Sequence, residues 1–226
     1  PSKPVKEWQT DVELANSYLK SGQIMPVSIN GTAGAEGRTL AEDFAYTAAM
    51  AKEAGAKIII ANYSCPNIAS GKEGSVYCDP LASKEISAKI RAAIGSTPFL
   101  IKLGNMPKPL LEQVVAGNRP FVDGFAGINT IPKFVRNTDG TQALPGENRL
   151  KSGLCGFAIR DVSQLFVENL AAIRKETNDD FVIFGVGGMM TPADFDERLS
   201  AGADIIMTAT AAMWNPYLAI EWIRKF

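Results

Sequence analysis

Short runs of consecutive apolar residues alternate along this chain with longer stretches in which apolar positions return every three or four residues. Six runs have the length and β-branched content of buried strands: Ile24–Asn30, Lys57–Tyr63, Phe99–Leu103, Gly124–Asn129, Phe181–Val186 and Asp204–Ala209. Helical periodicity occupies the intervals near 39–54, 81–94, 107–116, 160–176 and 192–200, and a last helix starts at Tyr217. The chain also enters a helix by about residue 7. Thr191-Pro192 and Asn215-Pro216 each place a capping side chain before a proline at the first helical position. Gly55 and Gly202 end helices in the near-repeated phrases Ala54-Gly55-Ala56 and Ala201-Gly202-Ala203.

Strands that alternate with helices predict a parallel sheet with right-handed crossovers. Two closures compete. Gly185-Val186-Gly187-Gly188 is a partial match to the dinucleotide fingerprint, stands late in the chain and is followed by two methionines, so it is a weak sign of an open doubly wound sheet. By position, Gly187-Gly188 and Thr208-Ala209-Thr210 close the last two strand units, where (β/α)8 barrels bind phosphate. Counting back, the six strands are numbers 3 to 8 of a (β/α)8 TIM barrel, an α/β fold, whose first two βα units are missing. One unit takes roughly 30 residues, so this reading expects about 60–90 residues upstream of Pro1 and a single partial barrel domain over 1–226.

Composition narrows the chemistry. The 226 residues are 46% hydrophobic and 21% charged, enough for one large core. A net charge of −1 and a pI near 5.7 argue against a nucleic-acid or acidic-membrane partner. No apolar stretch approaches the ~20 residues of a membrane span. Cys65, Cys78 and Cys155 are odd in number and form no C-x-x-C pair, which fits reduced thiols in the cytoplasm and argues against a zinc cluster. The chain has no histidine, which removes Ser-His-Asp triads and H-E-x-x-H sites. Acid–base work near neutral pH falls to Cys, Lys, Tyr or a shifted carboxylate.

Against that background the segment Asn62-Tyr63-Ser64-Cys65-Pro66-Asn67 is the densest set of hydrogen-bonding groups, placed where a buried strand opens into a Gly/Ser-rich loop. A lone cysteine is usually a small buried hydrophobe. Here its flanking amides and the following proline at a strand exit favour function, whereas Cys78 and Cys155 keep the plain reading. Lys102 is a cation on an apolar strand, either reaching for solvent or aimed at an anionic cofactor or intermediate. Asn129-Thr130 reads as turn chemistry or as a ligand contact. Loop 68–80 is a lid or a tolerated surface loop, and the polar stretch Lys133–Lys151 is a local excursion or an oligomer contact.

Taken in order, Asn62-Tyr63-Ser64-Cys65-Pro66-Asn67, Ile101-Lys102-Leu103, Ile128-Asn129-Thr130, Gly153-Leu154-Cys155-Gly156, Gly185-Val186-Gly187-Gly188 and Thr210 resemble the motifs of the dihydroorotate dehydrogenase family. The resemblance runs from Pro26 onward. It implies an FMN-binding barrel, an oxidoreductase of pyrimidine biosynthesis that converts dihydroorotate to orotate. By the same resemblance Cys65 is the base for the C5 proton, as in the soluble class 1 enzymes, while a hydride leaves C6 for the flavin. Asn62, Asn67, Asn129 and Thr130 hold the substrate. Lys102 sits beside the flavin, and Gly156, Gly187, Gly188 and Thr210 surround the FMN, the last three at its phosphate. The chain departs from the family pattern at Leu154, Cys155, Met207 and Ala209, and lacks the upstream lysine and Asn-containing loop. The implied partner is a small molecule, with no nucleic acid, membrane or metal, and the family's habit allows a homodimer. Two alternatives stay open. One is a dihydropyrimidine dehydrogenase-like flavin barrel acting on uracil or thymine, which tends to carry His where Asn67 stands. The other is a non-catalytic phosphate-binding barrel remnant.

Overall fold

In the computed structural model all six runs read as strands contain strands. The structure describes residues 4–64, 73–147 and 149–225. They divide into two compact units, one of Pro1–Lys102 with Pro107–Phe125, the other of Leu103–Met106 with Ala126–Phe226.

The first unit runs α1 (Val5–Ser17), β1 (Pro26–Ile29), α2 (Leu40–Glu53), β2 (Ile58–Asn62), α3 (Pro80–Ile94), β3 (Phe99–Leu103) and α4 (Lys108–Asn118). It ends in β4 (Gly124–Gly127), whose last two residues belong to the second unit. β1, β2 and β3 are neighbours in parallel, with Ile29 opposite Ala61, Ile59 opposite Phe99 and Asn62 opposite Lys102. Ile59, Ala61, Phe99 and Ile101 are fully buried, as expected of strands covered on both faces. Helix starts are fixed locally. Thr39 and Glu42 form a reciprocal capping box on α2, and Asp79 accepts from the N–H groups of Leu81 and Ala82 at the start of α3.

The second unit adds a two-stranded antiparallel hairpin, β5 (Ile131–Phe134) with β6 (Lys151–Leu154), which brackets the stretch Lys133–Lys151 read as an excursion. α5 (Arg160–Glu176), β7 (Val182–Val186), α6 (Pro192–Ser200), β8 (Ile205–Met207), α7 (Thr210–Trp214) and α8 (Leu218–Ile223) follow. β7 and β8 are parallel, with Val186 opposite Met207. The architecture is therefore α/β with parallel strands, as the alternation predicts. Thr191 caps α6 through a capping box with Asp194, and Gly55 and Gly202 end their helices at positive φ, all as expected. Asn215-Pro216 differs from the expectation. Asn215 follows the short α7, and α8 begins two residues beyond Pro216, so the proline lies in a turn rather than at the first helical position. Asn215 still accepts from the Tyr217 N–H, at 3.0 Å.

One device recurs in both units. Asp123, just before β4, donates its N–H to the Phe99 carbonyl and accepts from the Phe99 N–H through its carboxylate, 2.8 Å each. Arg91 of α3 bonds that carboxylate at 2.7 Å and the Phe121 carbonyl at 2.7 Å. In the second unit Asp204, before β8, makes the same reciprocal pair with Ile183, and Arg174 of α5 bonds its carboxylate at 2.6 Å and the Phe181 carbonyl at 3.0 Å. Each clamp ties the amino-terminal end of one strand to the next strand and to a helix.

Candidate active site

In the first unit, the site residues predicted from sequence fall at the carboxyl ends of neighbouring strands. Asn62 ends β2 and stands in register with Lys102, the penultimate residue of β3; both are half-buried. The Asn62 side-chain oxygen accepts from the Ser64 N–H at 3.3 Å, turning the chain as it leaves the strand. Tyr63 anchors that exit. Its ring is fully buried edge-on to Phe44, at 5.4 Å between centroids, and its hydroxyl shares a 2.8 Å hydrogen bond with Ser87. The relay continues from Ser87 to Asn118 at 2.6 Å and from Asn118 to Ser83 at 2.9 Å, all buried. Burial pushes the Tyr63 hydroxyl far up its titration range, opposed by the Ser87 bond, and burial foremost raises Tyr77 to about 12. Neither tyrosine can therefore be the proton acceptor near neutral pH, which shortens the list of candidate bases. Cys65 and Asn67 lie outside the described residues.

In the second unit, Asn129 and Thr130 follow β4 after one intervening residue, Ile128, which is joined to Gly127 by a cis peptide. The Asn129 N–H bonds the Leu103 carbonyl at 2.9 Å, and the Ile128 N–H bonds the Val186 carbonyl at 2.8 Å. Thr130 is half-buried, yet its hydroxyl oxygen is shut off from solvent and has no hydrogen-bond partner among the described residues. A buried hydroxyl left so costs about 1–3 kcal/mol, a deficit that a ligand acceptor or donor would remove. Gly153 of β6 lies directly against that hydroxyl, where a β-carbon would overlap it. Sequence reading missed this role for Gly153.

Gly156, Gly187, Gly188 and Thr210 converge on the start of α5. Gly156 opens a short 3-10 turn into that helix, and a β-carbon on it would stand 3.1 Å from Thr210 Cγ2. One on Gly187 would meet Ile159 Cδ1 at 3.0 Å, and one on Gly188 would overlap the Arg160 backbone. With φ of +112° and +81°, this pair bends the chain as only glycine readily does, and brings its backbone onto the helix start.

Beneath this turn lies a residue that sequence reading did not single out. Arg198 of α6 is 1% exposed. It donates to the Ser163 hydroxyl and to the carbonyls of Arg160 and Gly187, 3.3 Å each, while its Nε has no acceptor among the described residues. Ser163 in turn donates to the Val186 carbonyl at 2.5 Å. Nearby, Arg160 pairs with Asp194 at 2.7 Å and with Glu197. Asp194 also accepts from the N–H groups of Met190 and Thr191 and from the Thr191 hydroxyl. Burial works to raise the Asp194 carboxyl, but these donors prevail and hold it below the ordinary range. Burial, then the Arg160 charge, lowers Arg198 to about 10, so it stays protonated at neutral pH.

Among the described residues there is no group of acidic, Cys or His side chains fit for a metal, and no helix long and apolar enough to cross a membrane.

Comparisons with known proteins agree with the family resemblance. A family model described as dihydroorotate dehydrogenase matches residues 5–225. A dihydroorotate dehydrogenase of Dictyostelium discoideum is 41% identical over 219 residues, which is 94% of this chain and 58% of that protein. The NAD-dependent dihydropyrimidine dehydrogenase subunit PreA of Escherichia coli K12 is 33% identical over 77% of this chain and 43% of its own length. A putative dihydroorotate dehydrogenase A (fumarate) of Pediococcus pentosaceus is 28% identical over 77% of this chain and 55% of that protein. The chain thus spans about half the length of the curated relatives it matches. With nearly every described residue inside the matched range, the chain belongs to the dihydroorotate dehydrogenase family.

Proposed function

We propose that this chain supplies part of an FMN-dependent enzyme that oxidises dihydroorotate to orotate, and that it contributes strands 3 to 8 of a (β/α)8 barrel. The observation that carries the reading is the register of Asn62 with Lys102, an amide and a cation at the carboxyl ends of parallel strands, three residues before Cys65. In such barrels the carboxyl ends of strands bear the chemistry.

Two features suit the ligands of this reading. Among the described residues, Thr130 offers the substrate a buried hydroxyl without a partner, and a buried guanidinium with no carboxylate bonded to it lies under the Gly187-Gly188 turn, where a flavin phosphate would be received. Bound FMN would supply the two-electron acceptor for the hydride from C6. The chain's own residues do the rest. Cys65 takes the C5 proton, a task for which a thiol of ordinary pKa about 8.5 serves once partly ionised. Asn62, Asn67, Asn129 and Thr130 hold the substrate's carboxylate and ring amides. Lys102 stabilises negative charge on the cofactor edge, and Gly156, Gly187, Gly188 and Thr210 receive its ribityl phosphate end. No membrane or nucleic-acid partner enters this account.

Cys65→Ala should lose roughly 10²–10⁴-fold in turnover, measured by orotate absorbance, while keeping its flavin. Cys65→Ser should recover in part at high pH. Wild-type turnover in Cys65→Ala rejects the assignment. The Escherichia coli relative supports a second substrate class, the dihydropyrimidines. The assay that separates them is direct: dihydroorotate should bleach the bound flavin and dihydrouracil should not. A protein that stays colourless with added FMN removes both readings and leaves a non-catalytic barrel.

A further inference from the structure

A guanidinium removed from water without a carboxylate is expensive, because burial strips its hydration and carbonyl dipoles return only part of it. Arg198 is in that position. Among the described residues its hydrogen bonds go to one hydroxyl and two carbonyls, with Nε unbonded, and the nearby carboxylates Asp194 and Glu197 are held by Arg160 instead. The fold makes room for it deliberately. A β-carbon on Gly185 would stand 2.6 Å from Arg198 Cγ, so the glycine in β7 is what lets the side chain pass beneath the strand end. From there the guanidinium grips the Gly187 carbonyl of the Gly187-Gly188 turn and the Arg160 carbonyl in the first turn of α5, the two backbone segments that Gly188 presses together. A carbonyl pinned inward fixes the peptide planes around it, and so the directions of the neighbouring N–H groups.

We propose that Arg198 is the buried counter-charge and positioning residue of an anion seat at the Gly187-Gly188 turn, and that it sets the affinity of this chain for the phosphate of its flavin. The inference rests on the FMN reading and adds to it a residue that touches neither substrate nor flavin ring. A positive charge held beneath the turn offsets a dianion above it, and the dianion offsets the cost of burying the charge. The arginine's own bonds hold the turn in shape.

The test compares FMN with riboflavin, which shares the ring and ribityl chain but lacks the phosphate. Affinities are read by quenching of flavin fluorescence in the full-length protein stripped of flavin. Wild type should bind FMN far more tightly than riboflavin. Arg198→Met should weaken FMN by about 10-fold or more and riboflavin by less than about 2-fold, the scale of one charge-assisted contact. Arg198→Lys, which keeps the charge but not the fork of donors, should fall between. Inorganic phosphate should compete with FMN in wild type more effectively than in either variant. Equal losses for FMN and riboflavin would mean a merely structural arginine and overturn the proposal, as would no loss for either. Should Arg198→Met fail to fold, the same two outcomes are read from Arg198→Lys. If wild type itself binds neither flavin, the FMN reading fails; if it prefers FMN and the variants prefer it equally, only the role of Arg198 fails.

Discussion

Replacing Asp204 by Ala tests whether the strand-end clamps hold the fold. The carboxylate accepts from Arg174 at 2.6 Å and from the Ile183 N–H at 2.7 Å. The ion pair alone is a weak contributor. The Asp204 side chain is 42% exposed, and exposed pairs are worth about 0–1 kcal/mol. The strand amide matters more. Ile183 is fully buried at the start of β7, and an N–H left without its acceptor there costs about 1–3 kcal/mol. Together these predict a loss of about 2 kcal/mol. With a urea slope of about 2 kcal/mol/M, the unfolding midpoint should fall by about 1 M at unchanged slope. Asp204→Asn keeps an acceptor for Ile183 and gives up only the charge, so it should lose less than half as much. Asp123→Ala should behave alike, since Asp123 is 52% exposed and serves Phe99 and Arg91 with the same geometry. A midpoint for Asp204→Ala within about 0.2 M of wild type would refute the reasoning, because the strand amide would then have found water at no cost.

Two further outcomes follow from the turn after β7. Gly188→Ala forces a β-carbon into the Arg160 backbone at φ +81°; the backbone conformation alone costs about 1–2 kcal/mol and the overlap adds to it, so the melting temperature should drop by several degrees, and a wild-type melting curve would contradict the packing. Asp194 has its folded-state pKa below the ordinary 3.8, so its stabilising contribution is complete above that pH and is lost as the pH falls through the folded value. The gap in urea midpoint between wild type and Asp194→Asn should therefore be widest at pH 7 and narrow below about pH 3.8, and a gap independent of pH would deny the carboxylate its role.

The strands were legible because a parallel strand buried on both faces has no polar positions to hide. Ile59-Ile60-Ala61 and Phe99–Ile101 announce themselves, and only the ends needed trimming. The run from Ile24 begins as strand at Pro26, because Ile24 is exposed and nothing pairs it with the residues before Ile58. The β5–β6 hairpin was illegible for the opposite reason. Pro132, Lys133 and Phe134 are exposed and β6 buries none of its residues, so backbone pairing holds the hairpin without an apolar face to betray it. The site followed the same division. Asn62, Lys102 and Asn129-Thr130 could be nominated because polar groups stand at the ends of apolar runs. Arg198 could not. An arginine in an amphipathic helix reads as a solvent-facing charge, and only tertiary packing under Gly185 turns it inward. Arg91 and Arg174 were hidden likewise, since helix periodicity says nothing of the carbonyls that a long side chain reaches.

The glycine cluster Gly185-Val186-Gly187-Gly188 shows why a motif of this kind resists a single explanation. A phosphate loop asks for glycine so that a ligand can approach the backbone. Here internal neighbours also leave no room for a side chain at Gly185 (Arg198) or Gly188 (the Arg160 backbone), and Ile159 and Ser163 crowd Gly187. The two demands are not rivals. A turn can present its peptide groups in a fixed direction only if it is itself held, and the contacts that hold this one occupy the places where β-carbons would stand. The same close packing that denies these positions a side chain carries a buried cation to within hydrogen-bond reach of the turn. A loop with these glycines but without Arg198 would still have no room for a side chain at Gly188, yet it would lack the charge beneath. Glycine spacing therefore reports the joint, and the buried arginine is the feature that the FMN and riboflavin comparison tests.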